Sequence, residues 1–128
     1  MDYLLDTHTF LWFINGDTQL SKKAKEAIVN PDAIKYISIA SLWEIAIKVN
    51  LGKLSLEIPY SDLRQQVTDN GFEILPITFS HTTELVSLEL HHRDPFDRII
   101  IAQALSERLI LISKDGNFEK YVQLKMLW

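Results

Sequence analysis

The sequence contains no cysteine, which removes disulfides, thiolate nucleophiles and zinc–thiolate sites together. Glycines are few and scattered, and none forms a fingerprint that cradles nucleotide phosphates. No apolar run approaches the roughly 18 residues of a membrane span. Met1-Asp2-Tyr3-Leu4-Leu5-Asp6 has neither the basic region nor the apolar core of a secretion signal, so a cytoplasmic location is expected. A basic excess is also missing: 13 Lys and Arg stand against 17 Asp and Glu, a net charge of −4. Taken alone, that balance argues against a nucleic-acid binder. What is present is ordinary globular material, 47% apolar and 23% charged over 128 residues, which excludes disorder and predicts a single domain spanning 1–128.

Strand-like and helix-like periods alternate along the chain. Tyr3-Leu4-Leu5 has the character of a buried strand, closed by Asp6. Phe10 to Ile14 reads as a helix stopped by Asn15-Gly16. Lys22 to Val29 reads as another, opened by Ser21 and ended by Asn30-Pro31. Ile34 to Ile39 is β-rich and Ala40 to Leu51 helical; Pro59 to Asn70 is a weaker helix. Phe72 to Ile77 is the third strand, followed by a helix from a Ser80 cap to about Leu90. Asp94-Pro95 starts a helix over Phe96 to Arg108, with proline at its favoured first position. Leu109 to Ile112 is a fourth buried strand and Lys125 to Trp128 a short fifth. Such alternation predicts an α/β domain whose central sheet, of four to five strands, is mainly parallel and covered on both faces. Ligands of these sheets bind beyond the carboxyl ends of the strands.

Four acids stand at or near such positions, and each has a structural explanation of its own. Asp6 follows the first strand and can cap the next helix. Glu44 fits a capping box in Ser41-Leu42-Trp43-Glu44, and it precedes Lys48 by four residues, the favourable order for a helical ion pair. Asp97, behind an Asp94 cap, complements a helix dipole. Asp115 lies in the turn Ser113-Lys114-Asp115-Gly116. Their shared location distinguishes them, because a parallel sheet would gather all four at one edge. Clustered carboxylates repel unless protonated or neutralised by a cation, and an all-oxygen set suits Mg²⁺ or Mn²⁺. The chemistry this implies is metal-assisted phosphodiester hydrolysis.

Neighbouring groups extend the pattern. Ser41, Glu44 and Lys48 form a polar stripe on an otherwise apolar helix, and Trp43 and Ile47, lying off its main apolar face, suggest cover on two sides. Arg93, Arg98 and Lys114 flank the acids and can hold phosphates, or serve simply as solvated surface or as partners of carboxylates. His8, His91 and His92 are possible ligands, although their spacing matches no familiar zinc pattern. Phe10, Trp12 and Phe13 read as core or interface rather than a base-stacking platform.

Other folds place an aspartate after a first parallel strand. A haloacid-dehalogenase-type phosphatase needs a second aspartate two residues on, where this chain has His8. A response-regulator receiver needs one after its third strand, where Leu75-Pro76-Ile77-Thr78 offers no acid. No serine sits in a nucleophile elbow.

Three segments resemble the PIN-domain nucleases, and within them the VapC-type toxins of bacterial toxin–antitoxin pairs. They are Leu4-Leu5-Asp6-Thr7-His8-Thr9-Phe10-Leu11-Trp12, Ser38-Ile39-Ala40-Ser41-Leu42-Trp43-Glu44-Ile45 and His92-Arg93-Asp94-Pro95-Phe96-Asp97-Arg98. Ile99 to Ala104 and Ile112-Ser113-Lys114-Asp115 continue the match in order. The resemblance implies a three-layer α/β/α fold, a Mg²⁺- or Mn²⁺-dependent endoribonuclease that cleaves RNA, a homodimer, and a small antitoxin that wraps the toxin and obstructs its site. It assigns Asp6, Glu44 and Asp97 to the family's three best-defined acids and Asp115 to the fourth. Family members often carry a further acid two residues later, where this chain has Asn117. Ser113 occupies a position commonly threonine or serine. Asp6 and Asp97 are then the principal metal ligands, with Glu44 and Asp115 completing the pocket. The rival readings are a non-catalytic PIN-like module that binds RNA or protein, and a DNA nuclease using the same acids.

Overall fold

Short apolar runs form the strands of this computed structural model, which describes residues 1–128. They are β1 (Tyr3–Leu5), β2 (Lys35–Ser38), β3 (Phe72–Leu75), β4 (Ile110–Ile112) and β5 (Met126–Leu127). All pairings are parallel and the spatial order is β3-β2-β1-β4-β5. The helices are α1 (Thr7–Asn15), α2 (Lys22–Val29), α3 (Ile39–Asn50), α4 (Leu63–Asp69), α5 (Phe79–Val86) and α6 (Pro95–Glu107). No helix is long and apolar enough to cross a membrane.

Side chains alternate across a strand, and this divides the core in two. Leu4 and Leu111 point into one cluster with Ile100, Ile101, Phe118 and Tyr121. Leu5 and Ile112 point into the other with Phe10, Ile28, Ile45 and Val67. The sheet is therefore covered on both faces, giving the expected three-layer α/β/α arrangement with five strands. Helix α3 feeds both clusters, Ala40 into the first and Leu42 with Ile45 into the second. Trp43 is not part of either; it is 60% exposed and stacks at right angles on Phe96, 5.2 Å away.

Several element ends differ from the sequence expectation because a different residue supplies the cap. Helix α1 starts at Thr7, ahead of the apolar run from Phe10, with Asp6 as its cap in agreement with its position after β1. Ser38 caps α3, so Ser41 and Glu44 lie inside the helix and form no capping box. Thr78, not Ser80, caps α5, in a reciprocal pair with His81. That helix stops at Val86, and the segment before Asp94 is irregular. The expected helix over Pro59 to Asn70 is divided into a 3₁₀ turn, Tyr60–Asp62, and the two-turn α4.

Candidate active site

The chain builds β2 and β3 on one side of β1, then crosses to build β4 and β5 on the other. Connections diverge at the carboxyl ends of β1 and β4, and a crevice opens between them. Asp6 leaves β1 here and Ser113 leaves β4, because Leu5 pairs with Ile112. The Asp6 amide donates to Ile112 O at 3.3 Å. Asp6 Oδ1 accepts from the Thr9 amide at 2.8 Å, which is the helix cap. Asp6 Oδ2 accepts from Ser113 Oγ at 2.5 Å. Ser113 Oγ in turn accepts from the Asp115 amide at 3.1 Å, and Asp115 Oδ1 from the Asn117 amide at 2.9 Å. One buried hydroxyl thus fixes the carboxylate of one strand end and the turn that follows the other.

Glu44 is buried and reaches the same region from α3. Lys48 Nζ donates to its Oε2 at 2.8 Å, the ion pair expected from the spacing. Its Oε1 lies 2.7 Å from Thr7 Oγ1, which is also 2.9 Å from Ser41 Oγ. A threonine hydroxyl has one proton, and the charge-assisted bond to the carboxylate is the stronger. Thr7 therefore donates to Glu44 and accepts from Ser41. The polar stripe read from the sequence is a relay that binds α3 to the start of α1.

Asp97 sits on the first turn of α6, where Asp94 Oδ1 accepts from the Phe96 and Asp97 amides. Its carboxylate faces His92 Nε2 at 3.6 Å and has no hydrogen-bond donor. Burial, together with the negative charges of Asp94, Glu44, Asp6 and Asp115, pushes its pKa up to about 7. Asp6, Glu44 and Asp115 therefore all lie within electrostatic reach of Asp97. Burial also raises the Asp6 pKa, opposed by the hydrogen bonds from Ser113 and Thr9 and by the charge of His8. Burial lowers that of His92, opposed by Asp115 and Asp94. No three Asp, Glu or His side chains close into a tight cage around one point.

An open cleft of about 370 Å³ runs along this edge, lined by Asp6, His8, Trp12, Gln19, Lys114 and Asp115. Of the predicted cations, Lys114 is on its wall, Arg93 is exposed, and Lys48 is held by Glu44. Arg98 is engaged elsewhere. Its guanidinium donates to the carbonyls of Leu88, Glu89 and His92 and to the Tyr121 hydroxyl, pinning the segment before α6. Among the histidines, His8 lines the cleft, His92 bonds Tyr121 and faces Asp97, and His91 pairs with Glu89. Gln19 carries no site signal in the sequence, and Trp12, expected as core or interface, lines the cleft. For Trp12 a signal existed, since it stands four residues after His8 and shares its helix face.

The fold and its acids define a class, the doubly wound parallel domain with carboxylates gathered at its switch point. The chain belongs to the PIN domain family, whose model matches residues 3–124. Solved structures with the same fold include that of VapBC2 from Rickettsia felis bound to a DNA fragment from their promoter. That likeness has a TM-score of 0.75 at 16% identity, covering 99% of this chain and 98% of the other. DNA-bound VapBC from Salmonella typhimurium matches with a TM-score of 0.71 at 16% identity, covering 99% and 97%. The PIN domain endonuclease Utp24 matches with a TM-score of 0.54 at 18% identity, covering 95% and 77%. A comparison with curated proteins finds no match.

Proposed function

We propose that this PIN domain, a single domain over 1–128, is a Mg²⁺- or Mn²⁺-dependent endoribonuclease and the toxin of a toxin–antitoxin pair. The observation that carries this reading is that Asp6 and Asp115 line one cleft at the switch point, and that Asp97, half-buried, feels the charges of both and of Glu44. Capping requires no such convergence. The four acids fit a hard divalent ion: each offers a carboxylate oxygen, and the crowding of like charge is what a dication relieves. A loose arrangement suits Mg²⁺, which keeps several waters and takes few protein ligands.

When bound, such an ion supplies Lewis acidity toward a phosphoryl oxygen and a source of nucleophile from water. The protein supplies the rest. Asp6 presents a carboxylate whose direction is fixed by Ser113 and the Thr9 amide. Asp97, whose carboxylate accepts no hydrogen bond, would hold the ion as a carboxylate ligand once deprotonated. Glu44, with both oxygens engaged by Thr7 and Lys48, contributes negative charge from a fixed position. Asp115 completes the pocket from the β4 side. Lys114 and Arg93, exposed beside the acids, draw in the phosphate backbone. An antitoxin partner, a homodimer and a cytoplasmic location belong to the same reading. It is supported by the VapBC neighbours and by exposed apolar side chains such as Phe79, Val86 and Leu90, which suit protein contacts.

The test is cleavage-site mapping on total RNA, with parallel DNA, in the presence and absence of Mn²⁺. Metal-dependent scission of RNA at defined sites supports the reading. Scission of DNA alone makes the protein a deoxyribonuclease, and binding without scission makes it a non-catalytic module.

A further inference from the structure

The three aromatics of α1 do not share one environment. Phe10 is fully buried and meets Phe72 edge-on at 5.7 Å, and Phe13 meets the same ring at 5.6 Å. Trp12 turns the other way and is the one apolar residue lining the cleft that holds Asp6 and Asp115. A T-shaped contact with Trp128, 5.8 Å between centroids at 64°, fixes its plane. Lys114, an exposed side chain, places its ammonium 5.9 Å from the ring centroid. A group arriving from solvent can therefore reach that ring. Trp12 stands six positions beyond Asp6, about 9 Å along the helix axis.

Resting on the nuclease reading, we infer that Trp12 is the stacking wall of a nucleobase subsite. It takes the base of a nucleotide adjoining the scissile phosphate in single-stranded RNA. Five of the six cleft residues are polar or charged, so the cleft does not suit an apolar ligand. An aromatic ring beside a cation matches a strand of RNA, whose bases stack on aromatic faces while its phosphates meet lysine. A cation over a partly exposed ring is held weakly, and Lys114 yields the ring to a base and turns to the flanking phosphate. Gln19, on the same cleft, offers a side-chain amide to a base edge. Stacking tolerates any base, so Trp12 supplies affinity, and discrimination falls to hydrogen bonds such as those of Gln19.

The experiment uses the full chain and short single-stranded RNAs, some with an abasic spacer stepped along the sequence. Binding is measured on an Asp97→Asn background, and cleavage kinetics on the wild-type background. Trp12→Ala is expected to weaken RNA binding and raise KM by about tenfold or more, with kcat changed by less than about threefold. Trp12→Phe, which keeps a stacking face, recovers most of the loss and controls for packing against Trp128. One spacer position weakens binding in the Trp12 protein and has no further effect in Trp12→Ala. Affinity and KM unchanged in Trp12→Ala, or insensitivity to every spacer, overturn the subsite whether or not RNA is cleaved. Trp12-dependent, spacer-sensitive RNA binding without any cleavage sustains the subsite and removes the nuclease reading. Trp12-dependent binding of a protein partner, with RNA unaffected, also overturns the subsite.

Discussion

Asp6 uses its two carboxylate oxygens for two tasks, Oδ1 capping α1 and Oδ2 accepting from Ser113. The cap was legible because an aspartate before a helix is a local signal. The Ser113 bond was not, because it depends on the pairing of strands more than a hundred residues apart. Ser113→Ala removes the hydroxyl that aims Asp6 and anchors the Asp115 amide. RNA cleavage is expected to fall about 10–100-fold, the usual cost of losing a ligand's supporting partner, while circular dichroism stays unchanged. Thr7 plays the matching part for Glu44. Thr7→Val keeps the shape and strips one donor from a buried carboxylate, which costs about 1–3 kcal/mol. Its melting temperature should fall, and Thr7→Ser should restore it.

Among the elements, α6 shows how far local signals reach. Asp94-Pro95 announced its start, and the structure agrees with Asp94 as cap and Pro95 as first residue. The role of Arg98 was hidden, since its partners are backbone carbonyls of an irregular segment with no sequence signature. Helix α5 begins two residues before the start that a Ser80 cap implies, because its cap pairs Thr78 with a histidine at a position where glutamate or glutamine is usual. The far end of α6 is closed by Arg108 in the left-handed region, φ 56°. Non-glycine residues there are strained, and glycine is the common solution. Arg108→Gly is expected to stabilise the protein by about 0.5–1 kcal/mol after the entropy cost of glycine is deducted. Thermal melting reads this as a rise of a few degrees, with cleavage unchanged.

At the scale of the whole molecule, charge is organised by position rather than by sum. The formal net charge of −4, which argues against a nucleic-acid partner, equals the formal charge of these four acids taken as ionised. Their crowding makes stability depend on pH. Asp97 titrates near 7 in the fold against an ordinary 3.8, so between those values the folded state holds more protons than the unfolded one. Stability then falls as pH rises through that window and levels off above it. Asp6, raised by burial, acts in the same direction; His92, lowered by burial, opposes them below its ordinary 6.5. The difference between the wild-type protein and Asp97→Asn isolates the first contribution. Without metal, the variant should melt higher at pH 8, and its advantage should shrink toward pH 5. Mn²⁺ should raise the wild-type melting temperature more at pH 8 than at pH 6, because protons compete for the ligands.

The parallel sheet and its acidic edge were legible because strand runs and the residues after them are local features. The cleft was less so, because its walls come from a helix face and from a turn on the opposite side of the switch point. The most direct measurement of the central claim is the rate at which wild-type and Asp97→Asn proteins cut one defined RNA across a Mn²⁺ titration. The wild-type rate should be negligible in chelator and should rise to saturation with metal, while the variant stays at baseline throughout. Cleavage by the variant at the wild-type rate, or wild-type cleavage indifferent to chelator, would contradict it.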